Sequence, residues 1–152
     1  EKTLNEAIES MTTLNKYACE VSKNYDIHAC TDVTGFGFLG HLLEMMDNDK
    51  SCVIYADKVP VFEEAKALAD EFLITAGGQR NRNHVGGKVF FDNIPFSMEE
   101  ILFDPQTSGG LIFAVSADEA DSLLEELKKI NLPASIVGEI IEKTDVAIKV
   151  VK

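Results

Sequence analysis

Apolar residues recur at helical spacing from the first turn of the chain: Leu4, Ala7, Ile8, Met11, Leu14, Ala18 and Val21. The spacing predicts one amphipathic helix over 4–23, opened by the capping box Thr3-Leu4-Asn5-Glu6 and stopped by Ser22-Lys23-Asn24. Ile27 to Cys30 is a short strand-like run, and Thr31 to Gly35 a polar turn. Phe36, Leu39, Leu42, Leu43 and Met46 mark a second helix over 36–47. Cys52 to Ala56 reads as a strand, and Pro60 opens a helix over 60–72. Periodicity is then lost from Ile74 to Gly87, which predicts a long loop. A short strand at 89–91, a turn or two of helix at 98–102 and a turn-rich segment at 104–110 follow. Leu111 to Val115 is a buried strand, and Ser116-Ala117-Asp118-Glu119 a second capping box that opens a helix over 117–130. The runs 135–141 and 146–151, joined by Glu142-Lys143-Thr144-Asp145, predict a terminal hairpin. The sum is an α/β (α+β) domain over 1–152, a mixed sheet packed with helices, without internal repeats.

Composition narrows the function classes. The chain has 152 residues, 45% hydrophobic and 26% charged, the balance of an ordinary globular domain with a real core. Its formal charge is -12, which argues against nonspecific binding to nucleic acid or to an anionic membrane. No apolar run approaches the ~18 residues of a membrane span. No signal peptide is visible after Glu1-Lys2-Thr3. Cys19, Cys30 and Cys52 form no C-x-x-C pair, so they read as buried thiols in a reducing cytoplasm. A first residue that is Glu rather than Met points to a piece of a longer protein.

Three segments hold candidate chemistry. In Thr31-Asp32-Val33-Thr34-Gly35-Phe36-Gly37 a carboxylate follows a strand, and a glycine turn leads into a helix. Helix N-termini attract anions, which Asp32 would repel unless a divalent cation sat between them. The same residues also read as a plain turn with Thr34 and Asp32 capping the helix. Gly35, Gly37 and Gly40 spell G-x-G-x-x-G, with Asp57 closing the next strand, which leaves a dinucleotide-binding βαβ unit open. The second segment, Gly77-Gly78-Gln79-Arg80-Asn81-Arg82-Asn83-His84, offers Arg80 and Arg82 for phosphate oxygens, or is a solvated loop. The third, Asp104-Pro105-Gln106-Thr107-Ser108-Gly109-Gly110, is either an anion-binding nest or a structural turn. His28 and Cys30 share a strand face, which permits but does not demand a contact; His28 and His41 read as packed or half-exposed structural residues. A noncatalytic interaction or dimerisation module is the remaining alternative.

In their order and wording, His28-Ala29-Cys30-Thr31-Asp32-Val33-Thr34-Gly35-Phe36-Gly37, Thr75-Ala76-Gly77-Gly78-Gln79-Arg80-Asn81-Arg82 and Asp104–Gly110 resemble the C-terminal half of the selenophosphate synthetases. These enzymes sit in a wider superfamily with aminoimidazole ribonucleotide synthetase. The resemblance spans essentially the whole chain. It implies an enzyme that turns ATP, selenide and water into selenophosphate, AMP and phosphate with Mg²⁺, as a cytoplasmic homodimer when full-length. It implies the fold of the C-terminal domain of the aminoimidazole ribonucleotide synthetase relatives. It implies Asp32 as a metal ligand, Thr31, Thr34, Gly35 and Gly37 as the turn around it, and Arg80, Arg82, Thr107 and Ser108 as contacts to phosphates or to the other domain. The family's catalytic Cys or selenocysteine and its Lys belong to an N-terminal nucleotide-binding domain, for which this chain has no counterpart. The chain alone is therefore expected to be catalytically silent, with exposed apolar surface where that domain docks.

Overall fold

The helical and strand periodicities resolve into seven helices and six strands in a computed structural model that describes residues 2–152. In chain order these are α1 (Lys2–Thr12), α2 (Lys16–Ser22), β1 (Ile27–Asp32), α3 (Gly37–Met45), β2 (Lys50–Tyr55), α4 (Glu63–Asp70), α5 (Ala76–Val85), β3 (Val89–Phe91), α6 (Phe96–Phe103), β4 (Leu111–Val115), α7 (Ala117–Lys129), β5 (Gly138–Glu142) and β6 (Ile148–Val151). The strands divide between two sheets. β1 pairs antiparallel with β4, Cys30 opposite Phe113 and Asp32 opposite Leu111. The larger sheet has the order β3-β6-β2-β5, with β6 parallel to both its neighbours and β5 antiparallel to β2.

Two apolar clusters hold these layers together. Leu39 and Leu42 of α3 meet Leu102 and Phe103 of α6 and Ile54, Ile148 and Val150 of the larger sheet. Ala18 of α2 and Leu123 and Leu127 of α7 cover Ile27, Leu111, Phe113 and Val115 of the smaller one. Each fully buried Leu, Ile, Val or Phe side chain among these contributes about 1.5–3 kcal/mol of transfer free energy. The mixed α/β arrangement is the one the periodicity implies.

Several local expectations are corrected, each for a physical reason. The first helix is two, broken at residues 13–15. Thr12 and Thr13 turn their hydroxyls back onto the carbonyls of Ile8 (2.8 Å) and Glu9 (2.7 Å), and Asn15 donates its amide to Gly109 O (3.0 Å). Thr3 lies inside α1 and donates to Glu64 Oε1 (3.2 Å), so it opens no helix. Ser116 does precede α7, but the second capping box is not formed. Its hydroxyl pairs with His28 Nε2 (3.2 Å), and the Glu119 carboxylate accepts the Asp26 N–H (2.8 Å), so both side chains hold the start of β1 instead.

The loop expected over 74–87 is mostly helix α5. The terminal hairpin does not exist, because β5 and β6 lie on opposite sides of β2. Ser51 of β2 hooks the link between them, donating to Val146 O (2.7 Å) and accepting from Thr144 N–H (2.9 Å). The βαβ reading fails on topology: β1 and β2 belong to different sheets. Asp57 is exposed in a turn after β2, 3.8 Å from Lys58. Of the three thiols only Cys52 is buried; Cys19 and Cys30 are exposed.

Candidate functional site

The alternation of β1 sets Asp32 on the exposed side of the strand, in step with His28 and Cys30. Beyond it the chain is tied to the third segment. Val33 N–H donates to Gly110 O (2.9 Å), and Gln106 N–H donates to Thr34 O (2.9 Å). Gly109 is packed so close to Val33 O that a Cβ there would lie 2.3 Å from it. The Thr34 hydroxyl meets Nε2 of buried His41 at 2.9 Å, and Phe36 N–H points at the same nitrogen (3.4 Å). A backbone N–H can only donate, so Nε2 accepts, and the proton of the neutral ring sits on Nδ1 against Glu44 Oε2 (3.1 Å). Gly37 opens α3 at φ +71, where a Cβ would lie 2.6 Å from Phe103 O. Two of the three glycines of the G-x-G-x-x-G pattern thus serve packing, since a Cβ on Gly40 would likewise lie 2.8 Å from the Phe36 Cβ, whereas one on Gly35 would meet open space.

Helix α5 carries the second segment against the same edge. Thr75 caps it, accepting from Gly78 N–H (2.9 Å) and donating to Asp104 Oδ1 (2.7 Å). A Cβ on Gly77 would strike Pro105 at 2.5 Å, so glycine is what lets α5 lie on the Asp104-Pro105 turn. Buried Asn81 donates its amide to both Gly35 O and Phe103 O, each at 2.9 Å. The three segments, far apart in sequence, are therefore one hydrogen-bonded edge.

A cleft of about 550 Å³ opens on that edge, lined by Thr34, Gly35 and Phe36 of the first segment, Arg80 and Asn81 of the second and Pro105 of the third. Phe36 is half-exposed there between two imidazoles, tilted against His41 (5.6 Å) and stacked on His84 (5.9 Å, 16°). The two arginines part company. Arg80 is exposed at the cleft. Arg82 turns away, pairing with Glu99 (2.7 Å) and buried Glu100 (2.9 Å) and resting on the rings of Phe91 and Phe103. Gln79 donates its amide to the same Glu100. Thr107 and Ser108 are exposed on the loop that Asn15 and Val33 hold, outside the cleft lining. The Thr31 hydroxyl donates to Asp32 O (3.2 Å).

The structure argues against a nucleophilic dyad at His28 and Cys30. Partial burial, then Cys19 and Asp32 nearby, raise the Cys30 thiol above its ordinary range. The His28 ring faces Asp26 (3.3 Å) and Ser116 instead. Burial pushes Cys52 up to about 12, with Glu139 adding to it. Among the described residues no three His, Cys, Asp or Glu side chains gather as a metal-ligand set. Asp32 itself is a free-facing carboxylate, in no ion pair among the described residues. That suits a hard cation, which takes oxygen donors, but one carboxylate fills only part of an octahedral shell. The residues the motifs did not single out are His41, Asn81 and Phe36. For His41 the available signal was its place one helical turn past Gly37, where a polar ring can reach back to Thr34.

Residues 2–151 match the family described as AIR synthase related protein, C-terminal domain, and the chain belongs to that family. Among curated relatives, a selenide, water dikinase of Agathobacter rectalis is 60% identical over 148 residues, 97% of this chain and 43% of that protein. Selenide, water dikinases of Desulfitobacterium hafniense and Clostridium botulinum are 42% and 36% identical, over 91% and 95% of this chain and 41% and 43% of theirs. The chain thus spans about two fifths of the length of the relatives it matches.

Proposed function

We propose that this chain is the C-terminal part of a selenide, water dikinase, the enzyme that makes selenophosphate from ATP, selenide and water with release of AMP and phosphate. The observation that carries the reading is the convergence of three distant segments on one cleft edge, with the Asp32 carboxylate exposed at the end of β1. Asp32 would hold Mg²⁺, which when bound neutralises phosphate charge. Arg80 lines the cleft, exposed, and its guanidinium would take phosphate oxygens there. Thr34, held by His41, Gly35, with open space beside its Cα, and the ring of Phe36 line the cleft where the nucleotide would lie. Thr31 and Gly37 fix the turn on either side. Arg82 positions α5 rather than substrate, since its guanidinium is committed to Glu99 and Glu100. Thr107 and Ser108, exposed beside Gly109, would contact phosphates or the leading domain. A cytoplasmic homodimer of the longer chain belongs to the same reading.

The test is a full-length chimera in which this chain replaces the matching 43% of the A. rectalis enzyme. Asp32→Asn should abolish selenide-dependent AMP formation and weaken Mg-ATP binding at least about tenfold, a loss of roughly 1.4 kcal/mol. Arg80→Ala should raise the ATP requirement with a smaller effect on turnover at saturation. Undiminished activity in Asp32→Asn would refute the assignment.

A further inference from the structure

Helices α4 and α7 end on the same backbone design and fill it with opposite chemistry. At α7 the Asn131 N–H donates to Lys128 O (3.0 Å) and the Leu132 N–H to Leu127 O (3.2 Å). At α4 the Phe72 N–H donates to Ala69 O (3.0 Å) and the Leu73 N–H to Leu68 O (3.0 Å). Both are Schellman closures, in which the residue after the cap turns left-handed and the next one meets the last apolar turn of the helix. The end of α7 follows the rules of such a closure. Asparagine takes the left-handed position at φ +57. Lys128 and Lys129 stand at the negative end of the helix, where cations are stabilising. Leu127 and Leu132 join the second apolar cluster.

The end of α4 breaks each of these rules. Phe72 stands at φ +60, a conformation that L residues leave to glycine and asparagine. The last turn holds no cation; Asp70 and Glu71 are there instead, both exposed. The lysine of α4, Lys66, is taken by Glu63 at 2.9 Å. The leucine pair is bare, with Leu68 49% and Leu73 64% exposed. Phe72 is 72% exposed, its ring tilted against that of exposed Phe96 at the start of α6 (5.4 Å). A ring so open to water returns little to the fold that strains it, and local rules broken together at one place mark a functional surface.

The charge of the patch says what covers it. Asp70 and Glu71, on the negative end of α4, repel nucleic acid and anionic lipid, and a second copy placed on the same patch would set these carboxylates against each other. They attract lysine and arginine. We propose that the end of α4, with Phe96, is a docking site for a second protein, one that presents lysine or arginine beside apolar side chains. The apolar side chains cover Leu68, Phe72 and Leu73, and the cations meet Asp70 and Glu71. None of these residues lines the cleft, so the site stands apart from the chemistry proposed there.

The probe is a labelled helical peptide with lysine on one face and leucine on the other, titrated by fluorescence anisotropy against the full-length chimera at physiological ionic strength. Binding is read whether or not the chimera turns over. The chimera should bind this peptide, and not versions with Glu for every Lys or Ser for every Leu. Phe72→Gly should weaken binding at least about tenfold. It should also hold or raise the urea midpoint, because glycine is at ease in the left-handed conformation. Glu71→Lys should weaken binding as much, and Glu125→Lys, the same change of charge at an exposed position of α7, should not. Selenide-dependent AMP formation should be the same with and without Phe72→Gly. Equal binding by the chimera and its Phe72→Gly variant overturns the proposal. So does equal weakening by Glu71→Lys and Glu125→Lys, which is attraction to bulk charge alone. A lower urea midpoint or slower AMP formation in Phe72→Gly overturns it by making the ring a contact inside the enzyme. Altered sedimentation of that variant overturns it by making a second copy the occupant.

Discussion

Gly35 and Gly37 stand two positions apart and meet opposite demands. A Cβ at Gly35 meets nothing within 4 Å, whereas at Gly37 it meets Phe103 O at 2.6 Å from a backbone already at φ +71. Gly37→Ala should therefore cost at least about 2 kcal/mol of unfolding free energy, and Gly35→Ala no more than about 0.5, in urea titrations of the two variants. The arginines divide in the same way. Arg82→Ala leaves the buried Glu100 carboxylate without its cation, a loss of about 3 kcal/mol by the same measurement, while Arg80→Ala, at an exposed site, leaves stability nearly unchanged. Cys52 supplies a pH dependence. Its thiol ordinarily titrates near 9.0 and is pushed up to about 12 by burial. A group that keeps its proton longer in the fold than in the open chain stabilises fully below the lower value and loses that contribution as pH climbs through the higher one. Stability measured between pH 8 and pH 11 should fall, and Cys52→Ala, though less stable throughout, should show a shallower fall.

At the level of elements, what could be read along the chain depended on which face a segment buries. β1, β4, α3 and α7 bury apolar stripes, and their periodicity announced them. Helix α5 buries Gly78, Asn81 and Val85, a stripe of which only the last is apolar, so its period is invisible to hydrophobicity. Its ends were nonetheless written in Thr75, which caps it, and in Gly86 at φ +60, which ends it. The two capping boxes failed for a complementary reason: Ser116 and Glu119 found partners across the fold in His28 and Asp26, and Thr3 in Glu64, which local pattern cannot see. The supposed hairpin failed because strand pairing is a tertiary choice. Ser51, almost wholly buried, holds the 143–147 link across the end of β2 by three side-chain hydrogen bonds, to Val146 O and from both N–H and hydroxyl of Thr144. Ser51→Ala strands these groups, and should cost about 2 kcal/mol. The accompanying sign is local: the Thr144 amide should exchange faster under native conditions, with the amides of α7 unaffected, since that helix belongs to the other cluster.

At the scale of the molecule, the site was legible as wording and illegible as a whole. Motif order singled out the three segments because glycine, proline and asparagine are forced where backbones touch, as Gly77 against Pro105 and Gly109 against Val33 illustrate. Nothing in the chain could display the donors that Asp32 lacks, because no cluster of three ligating side chains forms among the described residues. Phosphoryl transfer depends on several charges placed at once around the phosphates, and on the proposed reading these residues supply only the Asp32 carboxylate at the end of β1 and the Arg80 guanidinium at the cleft. The 152-residue chain should accordingly release no AMP above background from ATP, Mg²⁺ and selenide, even at high protein concentration, while remaining folded by circular dichroism. Adding the leading part of the A. rectalis enzyme should raise that rate above background. Turnover by the short chain on its own would mean that a complete catalytic set is already present in these residues, and the division of labour between two domains would have to be abandoned.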